Sequence, residues 1–116
     1  MGSSQMVRLR LIAILRDSAG NPLPNKEVIF YYKDVKGFIE FDRKITDING
    51  KAETIYNYTG KNVIWFKAVF QGDQDYEYSE AIASYRPRSR ILNLIPLIII
   101  GTVVIVLTLT AKKHKE

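Results

Sequence analysis

Cysteine is absent from the 116 residues, and histidine occurs once, at His114 in a basic C-terminal tail. The first absence excludes a disulfide framework, a thiolate metal site and a cysteine nucleophile, so a small domain here must be held by its core alone. The second excludes a histidine-based triad or a histidine metal site in the body of the chain. No glycine-rich phosphate loop is present, nor any internal repeat or low-complexity tract. An excess of one charge sign is also missing from most of the chain. The net charge is +5, yet residues 1–85 carry eleven Lys or Arg against eleven Asp or Glu. The whole excess sits in Arg86, Arg88 and Arg90 and in Lys112, Lys113 and Lys115. No basic patch with interleaved aromatics is legible in the linear sequence, which argues against nucleic acid as a partner. No cofactor, metal or small-molecule substrate is expected, and the chain reads as non-enzymatic.

What the sequence does contain is one long apolar run. Ile91 to Ala111 holds no charged residue and is mostly Ile, Leu, Val and Thr. About 21 residues at roughly 1.5 Å each match a bilayer core of roughly 30 Å. Asn93 and Pro96 fall in its first turns, where both are tolerated. With basic residues at either end, this predicts a C-terminal transmembrane helix over 91–111. Arg86, Arg88, Arg90, Lys112, Lys113 and Lys115 then become its membrane flanks, with His114 at headgroup level. Leu11–Leu15 is too short for a signal-peptide core. Insertion by the C-terminal helix is therefore expected, unless the chain is a piece of a longer protein.

Before that run the pattern is that of strands. Val7, Leu9, Leu11, Ala13 and Leu15 alternate with Arg8, Arg10, Ile12 and Ile14, a period of two. Further strands are predicted at Glu27–Lys33, Phe38–Ile45, Lys51–Tyr58, Val63–Phe70 and Tyr76–Tyr85, each bounded by turn residues. Asn49-Gly50 is the strongest turn signal, read as positive φ at both residues. About seven short strands describe an all-β antiparallel sandwich. The expected organisation is an N-terminal tail or cloning remnant at 1–6, a β-sandwich at 7–85 and a basic linker at 86–90. The helix at 91–111 and a basic tail at 112–116 complete it.

Three ordered stretches carry a resemblance. They are Gly20-Asn21-Pro22-Leu23-Pro24-Asn25 before Val28 and Phe30; Thr46-Asp47-Ile48-Asn49-Gly50-Lys51-Ala52; and Ala68-Val69-Phe70-Gln71-Gly72-Asp73 before Tyr76 and Ser79. Together, over residues 7–85, they resemble the Ig-like repeat domains of bacterial and archaeal surface proteins. A transthyretin-like or carboxypeptidase-regulatory sandwich shares parts of the pattern. The resemblance implies a spacer, stalk or adhesive role, and it supplies no functional residues.

The candidate site residues are those of an exposed apolar surface. With Leu9, Leu11, Ala13, Val28, Phe30, Ala52, Thr54 and Tyr56 facing the core, Ile12, Ile14, Ile29, Tyr31 and Ile55 face outward. An Ig-like strand order puts these five on one sheet, and Trp65, Val63 and Val69 on the outside of the other. Contiguous apolar faces of this kind are docking sites more often than scattered ones. Asp73, Asp75, Glu77 and Glu80, with Asp47, form a carboxylate group read as a solvated face rather than a calcium site. Asn57-Tyr58-Thr59 is a glycosylation acceptor.

Two functions follow as expectations. One is a membrane-anchored Ig-like spacer or adhesion module, with its domain outside the cell and its tail in the cytoplasm. The other is an accessory subunit of a larger membrane complex, docking through its outer sheet face and its helix. The bilayer and a protein are the expected partners.

Overall fold

The computed structural model describes residues 6–87 and 102–115. Seven strands are present: β1 (Val7–Asp17), β2 (Glu27–Asp34), β3 (Gly37–Ile45), β4 (Lys51–Tyr58), β5 (Ile64–Phe70), β6 (Ser79–Tyr85) and β7 (Thr102–Ala111). They form a three-stranded sheet in the order β4-β1-β7 and a four-stranded sheet in the order β3-β2-β5-β6. Successive side chains of a strand point to opposite faces. The alternation of β1 therefore puts Leu9, Leu11, Ala13 and Leu15, all 0% exposed, between the sheets. Val28, Phe30, Phe66, Ala68 and Phe70 meet them from the other side.

The run expected to cross a membrane as a helix over 91–111 is instead, from Thr102 to Ala111, a strand of this sandwich. β7 lies parallel to β1 with ten residues in register, from Arg8↔Thr102 to Asp17↔Ala111. Ile105, Leu107, Leu109 and Ala111 are buried, while Thr102, Val104, Val106, Thr108 and Thr110 are exposed. Helix and strand both tolerate an uncharged stretch, but β-branched residues alternating with Leu favour the pleated surface. The exposed flank of β1 supplies the backbone partners that a bilayer would deny a strand. Among the described residues no helix is long and apolar enough to cross a membrane. Residues 91–101 of the expected span, with Arg88, Arg90 and the tail beyond Lys115, lie outside the described residues. The sandwich thus needs Thr102–Ala111 as well as 7–85.

Two further differences are local. β2 pairs with β3 and β5, not with β1, so Ile29 and Tyr31 lie on the opposite sheet from Ile12, Ile14 and Ile55. Asn49-Gly50 is not a turn with two positive φ values. Gly50 alone has one, at 76°, and its N–H donates to the Asp47 carbonyl at 2.9 Å. The turn is closed by Asp47, whose Oδ1 accepts the N–H groups of Asn49 and Lys51 at 2.8 and 3.0 Å. Gly50 is required because a Cβ there would stand 2.5 Å from the Leu15 carbonyl oxygen.

A register shift between Phe30 and Tyr31 bulges the β2–β3 pair. It lets β3 send Phe41 inward, where its ring meets Tyr56 at 5.0 Å and Phe66 at 6.3 Å. The neighbouring Asp42 accepts the Thr54 hydroxyl at the rim of this aromatic cluster.

Candidate interaction surfaces

The strand directions divide the molecule into two ends. β1 and β7 start at one and finish at the other, and every β4, β3 or β6 pairing respects that division. We call them the Val7 end and the Asp17 end. The Asp34–Gly37 turn, the Tyr58–Val63 loop and the departure of the chain after Tyr85 belong to the Val7 end.

The outer face of β4-β1-β7 is largely apolar at its centre. Ile12 and Ile14, both half-buried, stand beside Val106 and Thr108 on one side and Glu53 and Lys51 on the other. One row along, Ile55, Arg10 and Val104 are neighbours, with Ile55 42% and Val104 48% exposed. Arg10 Nε donates to Glu53 Oε2 at 2.5 Å, holding the carboxyl below and the guanidinium above their ordinary values. Both groups are open to water, so the pair adds little to stability. Ile12, Ile14 and Ile55 therefore share a face, as expected, and β7 adds Val104 and Val106 to it. Asn57 is exposed on the same face, opposite Arg8.

The outer face of β3-β2-β5-β6 is different. Ile29, expected to be exposed, is 1% exposed and Val69 4%. Across the sheet these two sit in a row between Arg43 and Glu80. Long side chains lie along apolar surface while their charges stay wet. Arg43, paired in register with Ile29, donates to Glu40 at 2.6 Å and to Glu27 at 3.2 Å. Tyr78 donates to Glu80 at 2.6 Å, and this pushes the tyrosine up to about 12. Ile29 thus belongs to a small second core and not to a docking face. Tyr31 is half-buried, with the Lys67 ammonium 5.3 Å from its ring. Trp65 is outward, as expected, and 45% exposed.

The carboxylate group at the Asp17 end is occupied by its own turns. Asp73 accepts the N–H groups of Asp75 and Tyr76 and pairs with Lys26 at 2.5 Å, and these contacts hold its carboxyl below the usual range, Lys26 foremost. Among the described residues no three metal-ligating side chains gather. A shallow notch of about 250 Å³ between Asn25, Lys26, Phe70 and Asp73 is too open to enclose a ligand. The tail closes over this turn. The His114 N–H donates to the Asp75 carbonyl at 3.0 Å, its ring Nε2 lies 2.9 Å from the Asp73 oxygen, and Lys113 bridges to Tyr76. Lys112, Lys113 and Lys115 are therefore at the Asp17 end, the opposite end from Arg86, and do not flank a helix ending at Ala111.

One grouping was not legible in the sequence. Lys33 and Lys36 at one turn, Lys61 in a loop and Arg86 after β6, all exposed, come from three separate segments and lie at the Val7 end with Arg8. Asp34 is the acid among them. No linear signal marks this cluster, because charges cancel over residues 1–85 and only the topology sorts them.

Comparison with known proteins bears on the fold. No family model matches the chain, and neither does any curated protein. Among solved structures, the chain is similar to one described as the Bacillus anthracis TIE protein, with a TM-score of 0.59 and 23% identity. The match covers 92% of this chain and 17% of that one. At this identity the likeness concerns the fold alone.

Proposed function

We propose that this chain is a non-enzymatic, Ig-like sandwich module that acts as a spacer or adhesion element at a cell surface. The observation that carries the reading is the parallel ladder between β1 and β7. Its first strand begins at one end of the sandwich and its last strand finishes at the other. Ten paired residues at about 3.3 Å each separate the two points by roughly 33 Å. Tension applied along the chain therefore loads the ladder in shear, so its hydrogen bonds resist together instead of opening one by one. A module whose ends point in opposite directions also continues naturally into neighbours. The similar fold in the anthrax protein, where it corresponds to a minor part of a long chain, supports a modular role. Exposed Asn57 suits a domain outside the cell.

Single-molecule stretching tests this. Handles fused before Val7 and after Lys115 shear the ladder, whereas handles at Ala19 and Lys115 peel it open from the Asp17 end. Shear is expected to need the larger force. Equal forces would remove the mechanical basis of the reading.

A second reading, an accessory subunit of a larger complex, draws support from the apolar centre formed by Ile12, Ile14, Ile55, Val104 and Val106. Its docking would use the β4-β1-β7 face. Mass measurement of the gently extracted protein decides between them, since a defined heteromer favours the subunit and a single chain the spacer.

A further inference from the structure

We propose that the Val7 end of the sandwich docks on an anionic lipid bilayer, with its lysines and Arg86 on headgroup phosphates and Val35 and Trp65 in the interface. The inference is independent of the spacer reading, because it concerns what one end touches and not what the ladder bears.

Charge is the first argument. Arg8, Lys33, Lys36, Lys61 and Arg86 face a single acid, Asp34, at this end among the described residues. Asp34 is itself engaged, since its Oδ1 accepts the Lys36 N–H at 2.8 Å. The opposite end has no such imbalance, for Asp17, Asp47, Asp73, Asp75 and Glu77 lie there beside its cations. A basic cluster of four to eight residues is what an anionic leaflet attracts.

The second argument is what lies between the cations. Val35, at the tip of the Asp34–Gly37 turn, is 97% exposed, and an apolar side chain at a turn apex has no partner within the fold. Trp65 stands on the same half of β5, and such amphipathic rings prefer the headgroup level.

Nucleic acid also seeks basic surfaces with aromatics, but it needs ring faces on which bases can stack. Here Lys67 lies 4.5 Å and Lys33 5.8 Å from the Phe38 ring centroid, so that face is already used and cannot join Trp65 in a run of stacking rings. Arg8, Lys33, Lys36, Lys61 and Arg86 sit on strand ends and loops at one end of the sandwich.

The test uses the full chain and vesicles of phosphatidylcholine with or without phosphatidylserine, separated by sedimentation. Binding is expected to be tighter with phosphatidylserine and to weaken when salt is raised from about 0.15 M to about 1 M. Each basic residue near such a surface contributes about a fivefold gain in partition. The combined Lys33→Glu, Lys36→Glu and Lys61→Glu variant is thus expected to lose about 100-fold or more. All three side chains are exposed, and an unchanged thermal melt verifies that the variant folds. A control with equal charge change, Lys44→Glu, Lys112→Glu and Lys113→Glu, is expected to lose far less. Equal loss in both variants, equal binding to neutral vesicles, no binding at all, or tighter capture of a single-stranded RNA probe would each overturn the proposal. Val35→Asp, which alters the turn tip alone, is expected to weaken binding further without changing the melt.

Discussion

Replacing Leu107 by Ala tests the central structural result, that Thr102–Ala111 is a core strand. Leu107 is 2% exposed and packs between the sheets, whereas its neighbour Val106 is 50% exposed on the outer face. Truncating a buried Leu removes its transfer energy and leaves a cavity, together costing about 2–5 kcal/mol. Val106→Ala removes apolar area that is already half in water and costs about 0.5 kcal/mol or a little more, from strand propensity. A domain of this size has about 5–15 kcal/mol in total, and each 1 kcal/mol lowers Tm by about 4 °C or more. Leu107→Ala is therefore expected to lower Tm by roughly 10 °C or more, and Val106→Ala by a few degrees. Far-UV circular dichroism with heating, repeated in urea, measures both. The alternation is the signature, since Leu109→Ala should again be severe and Thr108→Ala mild. A lipid-embedded helix over this stretch would leave the melt of the water-exposed domain unchanged in all four variants. Either that result or equal losses at Leu107 and Val106 would refute the strand. Deleting residues 102–116 is the extreme case and should abolish the cooperative transition, because β1 loses its parallel partner and the core loses four side chains.

Three other outcomes are expected. Gly50→Ala should cost about 2–5 kcal/mol in urea unfolding, through strain at φ 76° and the 2.5 Å approach of its Cβ to the Leu15 carbonyl oxygen; an unchanged midpoint would mean the turn relaxes freely. Ile29→Thr should destabilise by about 1–3 kcal/mol, since it puts a hydroxyl under Arg43 and beside Val69, while Ile12→Thr should be nearly neutral; comparable midpoints would contradict the second small core. Asp17, Asp47 and Asp73 are held below the ordinary 3.8, by N–H donors at Asp17 and Asp47 and by Lys26 first at Asp73. Their contribution is thus complete above that value and fades as pH falls through and below it, so Tm should hold steady from about pH 6 and drop toward about pH 2, less steeply in Asp47→Asn.

Much of the fold was readable locally, because the period-two burial of a strand is written along its own residues. Val7–Leu15, Glu27–Lys33 and Lys51–Tyr58 announce themselves by alternation, and Asp47–Gly50 by turn chemistry, so β1 to β6 and the core side chains of β1, such as Leu9, Leu11 and Ala13, follow from the sequence while β7 does not. Ile12, Ile14, Ile55 and Trp65 were likewise assigned to the outside by the pleat alone. Three matters belonged to the tertiary structure. An uncharged run such as Thr102–Ala111 suits lipid or a sandwich core equally well, and only the open flank of β1, far away in sequence, selects a strand. The exposure of Ile29 depends on which sheet β2 joins and on whether Arg43 and Glu80 arrive beside it. The basic Val7 end exists because antiparallel and parallel pairings carry Lys33, Lys36, Lys61 and Arg86 to one end of the molecule. A chain of net charge +5 whose first 85 residues are neutral becomes, once folded, a body with one basic end, since pairing direction and not sequence distance determines which side chains are neighbours.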